Sequence, residues 1–199
     1  MIIKSIYDNQ DEILNSILHL YCKNGFECDL TYANGAFYKN INKPKYKFDI
    51  DPQNNETIKS CSTNVPIESS ILNNIVFDPP FLTYIKNGRE NNSIMGKRFS
   101  GYYKYNELEI HYKNTLKETN RILKKNGLLI FKCQDIIHNH KMHPTHINVV
   151  NWASDFNFRL KDLFILQAKH RLPSPNRNGT QKHARVFHSY FLVLEKVKD

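Results

Sequence analysis

Residues 73–81 read NNIVFDPPF, an apolar run that ends in an acid, two prolines and an aromatic ring. Proline has no amide hydrogen and fixes its own φ, so two prolines in succession cannot belong to a paired strand. The pattern therefore predicts a buried strand that ends at Phe77, followed by a stiffened turn. That turn carries a carboxylate, Asp78, and a ring, Phe81.

Helix and strand patterns alternate around this stretch. Helices are predicted at 11–21, 105–125 (with Gly127 as the stop) and 146–156, and strands at 26–32, 45–51, 70–77, 128–133, 159–169 and 185–197. Such alternation is typical of a mainly parallel α/β sheet, here within one domain, 1–199. Ligands of these sheets bind beyond the carboxyl ends of the strands, which puts the DPPF turn on the ligand side.

Composition narrows the class of protein. The 199 residues carry 28 basic and 19 acidic side chains, a net charge of +9, which fits either a general solubility bias or a polyanionic partner. No apolar run is long enough to span a bilayer, and the acidic start of the chain argues against a signal peptide. Four cysteines without paired spacing lead us to expect a reduced, cytoplasmic protein.

DPPF matches the [DNS]-P-P-[YFW] signature of S-adenosylmethionine-dependent methyltransferases that modify exocyclic amino groups, the N6-adenine and N4-cytosine enzymes. Residues 28–35, CDLTYANG, resemble the cofactor loop D-P-F-x-G-x-G of that family, with Leu30 in place of the proline and Ala33 in place of the first glycine. KFDIDP resembles the end of the second strand. The resemblance covers roughly 26–196.

The resemblance implies a Rossmann-like sheet of seven strands, mostly parallel, with an antiparallel last strand and helices on both faces. It also implies S-adenosyl-L-methionine as cofactor, with Asp49 on its ribose hydroxyls. The implied cofactor-binding residues are Asp29, Thr31, Gly35, Asp49 and Asp78, and the implied catalytic residues are Asp78, Pro79, Pro80 and Phe81.

The DPPF turn suits this chemistry. An exocyclic amine is a poor nucleophile because its lone pair is delocalised into the ring. Hydrogen bonds from the amine to Asp78 and to the carbonyl of Pro79 favour a more tetrahedral nitrogen, and the prolines preorganise both acceptors. Phe81 offers a stacking face worth about 1–3 kcal/mol per base. The alternative is an ordinary turn with Phe81 packed in the core.

Two basic loops flank the predicted site, 82–104 and 168–185. Basic side chains suit phosphates and aromatic rings suit unstacked bases, although a plain surface loop would look similar residue by residue. The expected substrate-binding residues are Phe81, Lys97, Arg98, Phe99, Lys169, Arg171, Arg177 and Lys182. Lys132, Gln134 and Asp135 lie at the end of the predicted strand 128–133 and are expected on the same side, either positioning substrate or satisfying loop amides.

Three further questions stay open at this point. The histidines of 138–146 give zinc as a weaker alternative to the start of a helix, because no cysteine lies at ligand spacing, so we expect no metal. The expected substrate is N6 of adenine in DNA rather than RNA, and target recognition is expected either from the basic loops or from a partner subunit. The same motif also serves protein glutamine, and an inactive nucleic-acid-binding subunit is the remaining alternative.

Overall fold

The computed structural model describes residues 2–83, 100–102, 104–168 and 182–198. Three α-helices occur in this part of the chain: α1 Gln10–Leu20, α2 Tyr105–Ile122 and α3 Thr145–Asp155. Its strands are β1 Ile6–Tyr7, β2 Cys28–Asp29, β3 Tyr46–Asp49, β4 Ile58–Lys59, β5 Leu72–Phe77, β6 Leu82–Thr83, β7 Ser100–Tyr102, β8 Leu123–Cys133, β9 Ile136–His138, β10 Lys141–His143, β11 Phe158–Gln167 and β12 His188–Lys196.

Among the described residues, eight strands form one sheet in the order β1-β11-β12-β8-β5-β2-β3-β4. Neighbours from β8 to β4 run parallel, whereas β12 runs antiparallel to both β8 and β11. The mostly parallel sheet with an antiparallel last strand is confirmed. The strands β2, β3, β5, β8 and β11 all end at one side of the sheet, which we call the ligand edge.

Helices cover both faces of the sheet, as the sequence predicted. On one face Ile13, Leu14 and Ile17 of α1 pack against alternate side chains of β5, β8 and β12. On the other face α2 and α3 pack against the remaining alternate side chains, including Phe77 and Phe131. Strands covered on both faces are mostly apolar, which explains why segments such as IVF of β5 and LLIF of β8 form continuous apolar runs.

Two sequence predictions about the elements are wrong. The described sheet has eight strands rather than seven because β1, only two residues long, pairs in parallel with β11. Helix α2 ends at Ile122 rather than at Lys125, and β8 begins at Leu123 rather than at Leu128. Leu123 has an extended backbone and pairs with Leu72 of β5, so tertiary pairing stops the helix before Gly127.

None of the helices in the described ranges is both long and apolar enough to cross a membrane. All four cysteines are free thiols. Burial raises the pKa of Cys28 and Cys133 well above the ordinary thiol value, so these side chains stay protonated and act as core residues.

Candidate active site

The ligand edge carries an acid at the end of each of three neighbouring strands. Asp29 ends β2, Asp49 ends β3, and Asp78 follows directly after β5. Because β2 lies between β5 and β3 in the sheet, the structure brings these three predicted residues to adjacent positions. They form the frame of the candidate site.

Asp29 is buried and its carboxylate is hydrogen-bonded on both oxygens. The hydroxyl of Tyr38 donates to Oδ2 at 2.7 Å, and the amide and hydroxyl of Thr31 donate to Oδ1 at 2.7 and 3.1 Å. Burial raises the pKa of Asp29 to about 7, although these hydrogen bonds act in the opposite direction. Asp29 thus fastens β2 to the short helical turn Ala36–Tyr38. Its contact with a cofactor stays a prediction.

Thr31 connects β2 to the DPPF turn. Its hydroxyl oxygen accepts the amide hydrogen of Asp78 at 2.8 Å while donating its own proton to Asp29. One hydroxyl can do both, because it has one donor and two acceptor positions. Thr31 therefore fixes the backbone of Asp78, and its predicted cofactor contact is likewise untested.

The carboxylate of Asp78 is held by Lys132, which lies near the end of β8. The Nζ of Lys132 is 3.0 Å from Oδ2 of Asp78 and donates to Oε1 of Gln10 at 2.9 Å. The ammonium group also lies over the rings of Phe37 and Phe191, 5.4 Å from each centroid. Among the described residues, none donates to Oδ1 of Asp78, so one carboxylate oxygen is available to a ligand.

The rest of the turn is rigid. Pro79 is buried, and Pro80 and Phe81 are half-buried. The hydroxyl of Tyr112, a fully buried residue of α2, donates to the carbonyl oxygen of Pro80 at 3.2 Å. The turn is therefore tied to β2 through Thr31, to β8 through Lys132 and to α2 through Tyr112, as a preorganised acceptor requires.

Asp49 closes the loop that follows β2. Its Oδ2 accepts the amide of Ala33 at 2.8 Å, and its Oδ1 accepts the amide of Asp51 at 2.8 Å. Ala33 has φ of +48°, a conformation that glycine adopts more easily. The hydrogen bond to Asp49 thus holds the amide of Ala33 in this conformation, and each carboxylate oxygen keeps a second acceptor position.

Gly35 and Tyr32 shape the same loop. Gly35 has φ of +76°, and a Cβ at this position would lie 2.5 Å from the hydroxyl oxygen of Tyr32. Tyr32 is 2% exposed and stacks on Tyr38. Among the described residues, its hydroxyl is the buried side-chain polar atom without a hydrogen-bond partner. A buried donor of this kind calls for an acceptor that the described chain does not supply.

A second polar cluster follows β8. Asp135 is buried and accepts from Nδ1 of His146 at 2.7 Å and from the hydroxyl of Tyr190 at 3.3 Å. The rings of His146 and Tyr190 stack with centroids 4.0 Å apart. Of the three residues expected on this side, Lys132 contacts Asp78, whereas Gln134 donates to the carbonyl of His188 and Asp135 anchors α3.

Six of the eight predicted substrate-binding residues lie outside the described part of the chain. Lys182 is exposed, and the carbonyl of Phe187 bonds the amide of Ala168, which brings the flanks of the second basic loop together at the ligand edge. The residues that lie outside the described ranges are Lys97, Arg98, Phe99, Lys169, Arg171 and Arg177. Among the described residues, no three His, Cys, Asp or Glu side chains come together to hold a metal ion.

Comparison with known proteins supports the fold. Neither a protein-family model nor a curated protein matches the chain. A methyltransferase of Methanosarcina mazei is 12% identical with a TM-score of 0.56, and the match covers 92% of this chain and 98% of that one. A protein of Sulfolobus solfataricus assigned as a type 11 methyltransferase is 17% identical with a TM-score of 0.50, covering 96% and 94%. The likeness shows a Rossmann-like methyltransferase fold.

Two further solved structures are similar to the chain. The Haloferax volcanii protein assigned as a methyltransferase in complex with the activator Trm112 is 13% identical, with a TM-score of 0.51 and coverage of 96% and 93%. A Thermus thermophilus protein assigned as a DNA modification methylase is 17% identical with a TM-score of 0.49. That match covers 70% of this chain and 53% of that one, so this chain spans about half of its length.

The sequence did not reveal two features of the site. The first is Tyr38: nothing in the sequence distinguishes it from the other aromatic residues of the loop, yet it is buried and its hydroxyl donates a hydrogen bond to Asp29. The position of Lys132 on the ligand side was expected, but its ion pair with Asp78 was not. The sequence gives one weak sign of that pair. Lys132 is the single charged residue of the apolar segment LLIFKC, and burying its ammonium group is costly unless an acid pairs with it.

Proposed function

We propose that the chain is a methyltransferase that uses S-adenosyl-L-methionine to methylate the exocyclic amino group of a nucleic acid base, with N6 of adenine in DNA as the first choice. The observation that carries this proposal is the carboxylate of Asp78. It stands at the ligand edge of a methyltransferase fold, on a turn tied to Thr31 and Tyr112. Lys132 holds one oxygen, and none of the described residues donates a hydrogen bond to the other.

The loop residues fit the cofactor. Each carboxylate oxygen of Asp49 keeps a second acceptor position, which suits a ribose diol. Gly35 gives the loop its left-handed turn and makes space for the ring of Tyr32. Asp29 and Thr31 belong to the same loop and fix its shape. When bound, S-adenosyl-L-methionine supplies a methyl group that is already activated for direct displacement.

Asp78 prepares the amine for this transfer. Its open oxygen accepts a hydrogen bond from the amino group, which localises the lone pair on nitrogen and orients it. Formation of the nitrogen–carbon bond would be balanced by loss of the sulfur–carbon bond of the cofactor, and the nitrogen would lose one proton, for which the carboxylate of Asp78 is the proposed acceptor. The carbonyl of Pro79 is the second acceptor, and Phe81 provides the stacking face for the base.

The charge of the chain favours a nucleic acid as substrate. The excess of basic residues, +9 overall, suits a phosphate backbone better than a neutral amide of a protein side chain. Lys97, Arg98, Lys169, Arg171, Arg177 and Lys182 are the proposed phosphate contacts. The complex of the Haloferax volcanii neighbour with an activator makes a partner subunit a reasonable part of the proposal.

The test uses purified protein, methyl-labelled cofactor and unmethylated plasmid DNA. We expect wild type to transfer label to the DNA and Asp78→Ala to lose transfer by roughly 100-fold or more, because the open acceptor acts on the reacting amine. Calorimetry with S-adenosylhomocysteine should show similar cofactor affinity for both proteins and weaker affinity for Asp49→Ala.

The matched control is Asp155→Ala, which removes an exposed acid at the end of α3. It should behave as wild type in both assays. Methyl transfer by Asp78→Ala at the wild-type rate would contradict the proposed mechanism. If folded wild-type protein does not bind S-adenosylhomocysteine, the chain is not the proposed methyltransferase.

A further inference from the structure

Tyr112 of α2 is a fully buried tyrosine that packs at the base of the DPPF turn. Its ring meets Phe77, the last residue of β5, and Phe131 of β8 edge-on, with centroids 6.0 and 5.0 Å away. Burial raises the pKa of Tyr112 well above the ordinary tyrosine value, so its hydroxyl stays a hydrogen-bond donor at any working pH. That hydroxyl donates to the carbonyl oxygen of Pro80 at 3.2 Å.

The hydroxyl of Tyr112 serves the turn rather than the core. A phenylalanine would fill the same space between Phe77 and Phe131 without bringing a polar group into an apolar environment. Burying a hydroxyl costs free energy unless it finds a partner, and the hydrogen bond to Pro80 offsets that cost. What the hydroxyl adds to the protein is therefore its hold on the backbone at Pro80.

Two side-chain hydrogen bonds hold the backbone of the turn, one near each end. At the end next to β5, the hydroxyl of Thr31 accepts the amide hydrogen of Asp78. At the other end, Tyr112 donates to the carbonyl oxygen of Pro80. The two residues that are proposed to act on the base, Asp78 and Phe81, thus each have a fixed peptide group beside them.

The hydrogen bond to Pro80 restricts the backbone from which Phe81 projects. The carbonyl of Pro80 and the amide nitrogen of Phe81 belong to one planar peptide group. The proline ring fixes φ of Pro80, so the direction of this plane depends mainly on ψ of the same residue. A donor on the carbonyl oxygen fixes that angle. Phe81 is half-buried, so part of its surface remains exposed.

We propose that Tyr112 is a positioning residue, which places the ring of Phe81 through the peptide group between Pro80 and Phe81. The consequence for activity rests on the proposed function, in which this ring is the stacking face for the target base. A small displacement of the base moves its amino group away from the carboxylate of Asp78, and such displacements are costly in rate. Loss of the hydroxyl therefore slows methyl transfer more than it weakens DNA binding.

The test variant is Tyr112→Phe, which removes the hydroxyl and keeps the ring. Its matched control is Tyr21→Phe, because the hydroxyl of Tyr21 donates to Asp162 at 2.7 Å. Tyr21 follows the end of α1, whereas Gln10 at the start of that helix contacts Lys132 at the ligand edge, so Tyr21 lies away from the turn. Each variant loses one hydrogen bond, and thermal unfolding should show a fall in Tm of about 2–4 °C for both.

The first readout is the environment of the Phe81 ring in protein labelled throughout with para-fluorophenylalanine. The fluorine NMR signal of Phe81 is the one that disappears in Phe81→Leu. We expect Tyr112→Phe to shift or broaden this signal and Tyr21→Phe to leave it unchanged. An unchanged Phe81 signal in Tyr112→Phe would overturn the positioning role, whether or not the protein is active.

The second readout is methyl transfer to plasmid DNA by Tyr112→Phe and Phe81→Leu, singly and combined. We expect Tyr112→Phe to lower kcat roughly tenfold, with a KM for DNA within about twofold of wild type. In the Phe81→Leu background the same change should alter kcat by less than about twofold, because residues that act through one another are not additive.

An equal loss of kcat in both backgrounds, or no loss in either, would overturn the action of Tyr112 through Phe81. The control Tyr21→Phe should match wild type in kcat and KM. Absence of transfer by wild type would overturn the proposed function instead, and the fluorine spectrum alone would then decide whether Tyr112 places the ring.

Discussion

Lys132 determines where the carboxylate of Asp78 points. Its ammonium is enclosed by two rings, by Gln10 and by Asp78 itself, and its side chain is 12% exposed. A cation with so many fixed contacts has little freedom, so the ion pair is a positioning device rather than a mobile surface bridge. This is a contact between residues 54 positions apart, which no local pattern reveals.

Replacing Lys132 should therefore lower the rate of the chemical step. We expect Lys132→Met to reduce kcat on DNA by roughly 10- to 100-fold, because small displacements of a reacting group are costly. Its KM for DNA should stay near that of wild type, and Lys132→Arg should recover part of kcat. A rise in KM with unchanged kcat would show instead that Lys132 binds phosphate.

Asp29 makes the stability of the protein depend on pH. Burial raises the pKa of Asp29 from 3.8 to about 7 in the folded state, so the folded chain holds a proton that the unfolded chain releases. The resulting stabilisation is complete below about pH 4 and is lost as the pH rises through about 7, with a slope near 1.4 kcal/mol per pH unit. Asp29→Asn should lack this slope.

Chemical denaturation of wild type and Asp29→Asn across that pH range measures the difference directly. The free energy of unfolding of wild type should fall with rising pH relative to that of the variant. Parallel profiles would mean that the hydrogen bonds from Tyr38 and Thr31 keep Asp29 ionised throughout and that burial is the weaker effect.

At the scale of elements, the loop after β2 depends on Gly35. An added Cβ would meet both a positive φ and the hydroxyl of Tyr32. Gly25 has a positive φ of +95° but open space around the missing Cβ, so it is a matched control for the backbone alone. We expect Gly35→Ala to cost about 1–3 kcal/mol more than Gly25→Ala, because overlap adds to strain.

Thermal and chemical unfolding of the two alanine variants provide this comparison. Tyr32→Phe in the Gly35→Ala background should recover part of the loss, since it removes the nearest overlapping atom. Equal destabilisation by Gly25→Ala and Gly35→Ala would show that the loop moves freely away from Tyr32. The loop would then lack a fixed shape for binding a cofactor.

The elements that sequence predicted well are those with strong local patterns. The apolar run before Asp78 and the amphipathic run that became α1, Gln10–Leu20, were located closely. The two-residue strands β1 and β4 carry no alternation and form only because longer strands offer an edge. The β9–β10 hairpin was not predicted because its strands are three residues each and its turn, Asn139–His140, contains no glycine.

At the scale of the whole molecule, the sheet order explains the site. The antiparallel β12 lies between β11 and β8, so the chain leaves β11 and enters β12 at the ligand edge. The second basic loop therefore starts and ends on the same edge as the acids of β2, β3 and β5. The alternation of helices and strands predicted the mainly parallel sheet, and the family resemblance implied its antiparallel last strand. The ion pair between Lys132 and Asp78 joins residues 54 positions apart, so no local pattern predicts it.

The most direct test of the central claim is mass analysis of nucleosides from a host that lacks amino-methylated bases and expresses either wild type or Asp78→Ala. Wild type should produce methylated exocyclic amines in DNA, with N6-methyladenine expected, while the variant should resemble an empty vector. DNA without methylated amines from cells that contain folded wild-type protein would contradict the account.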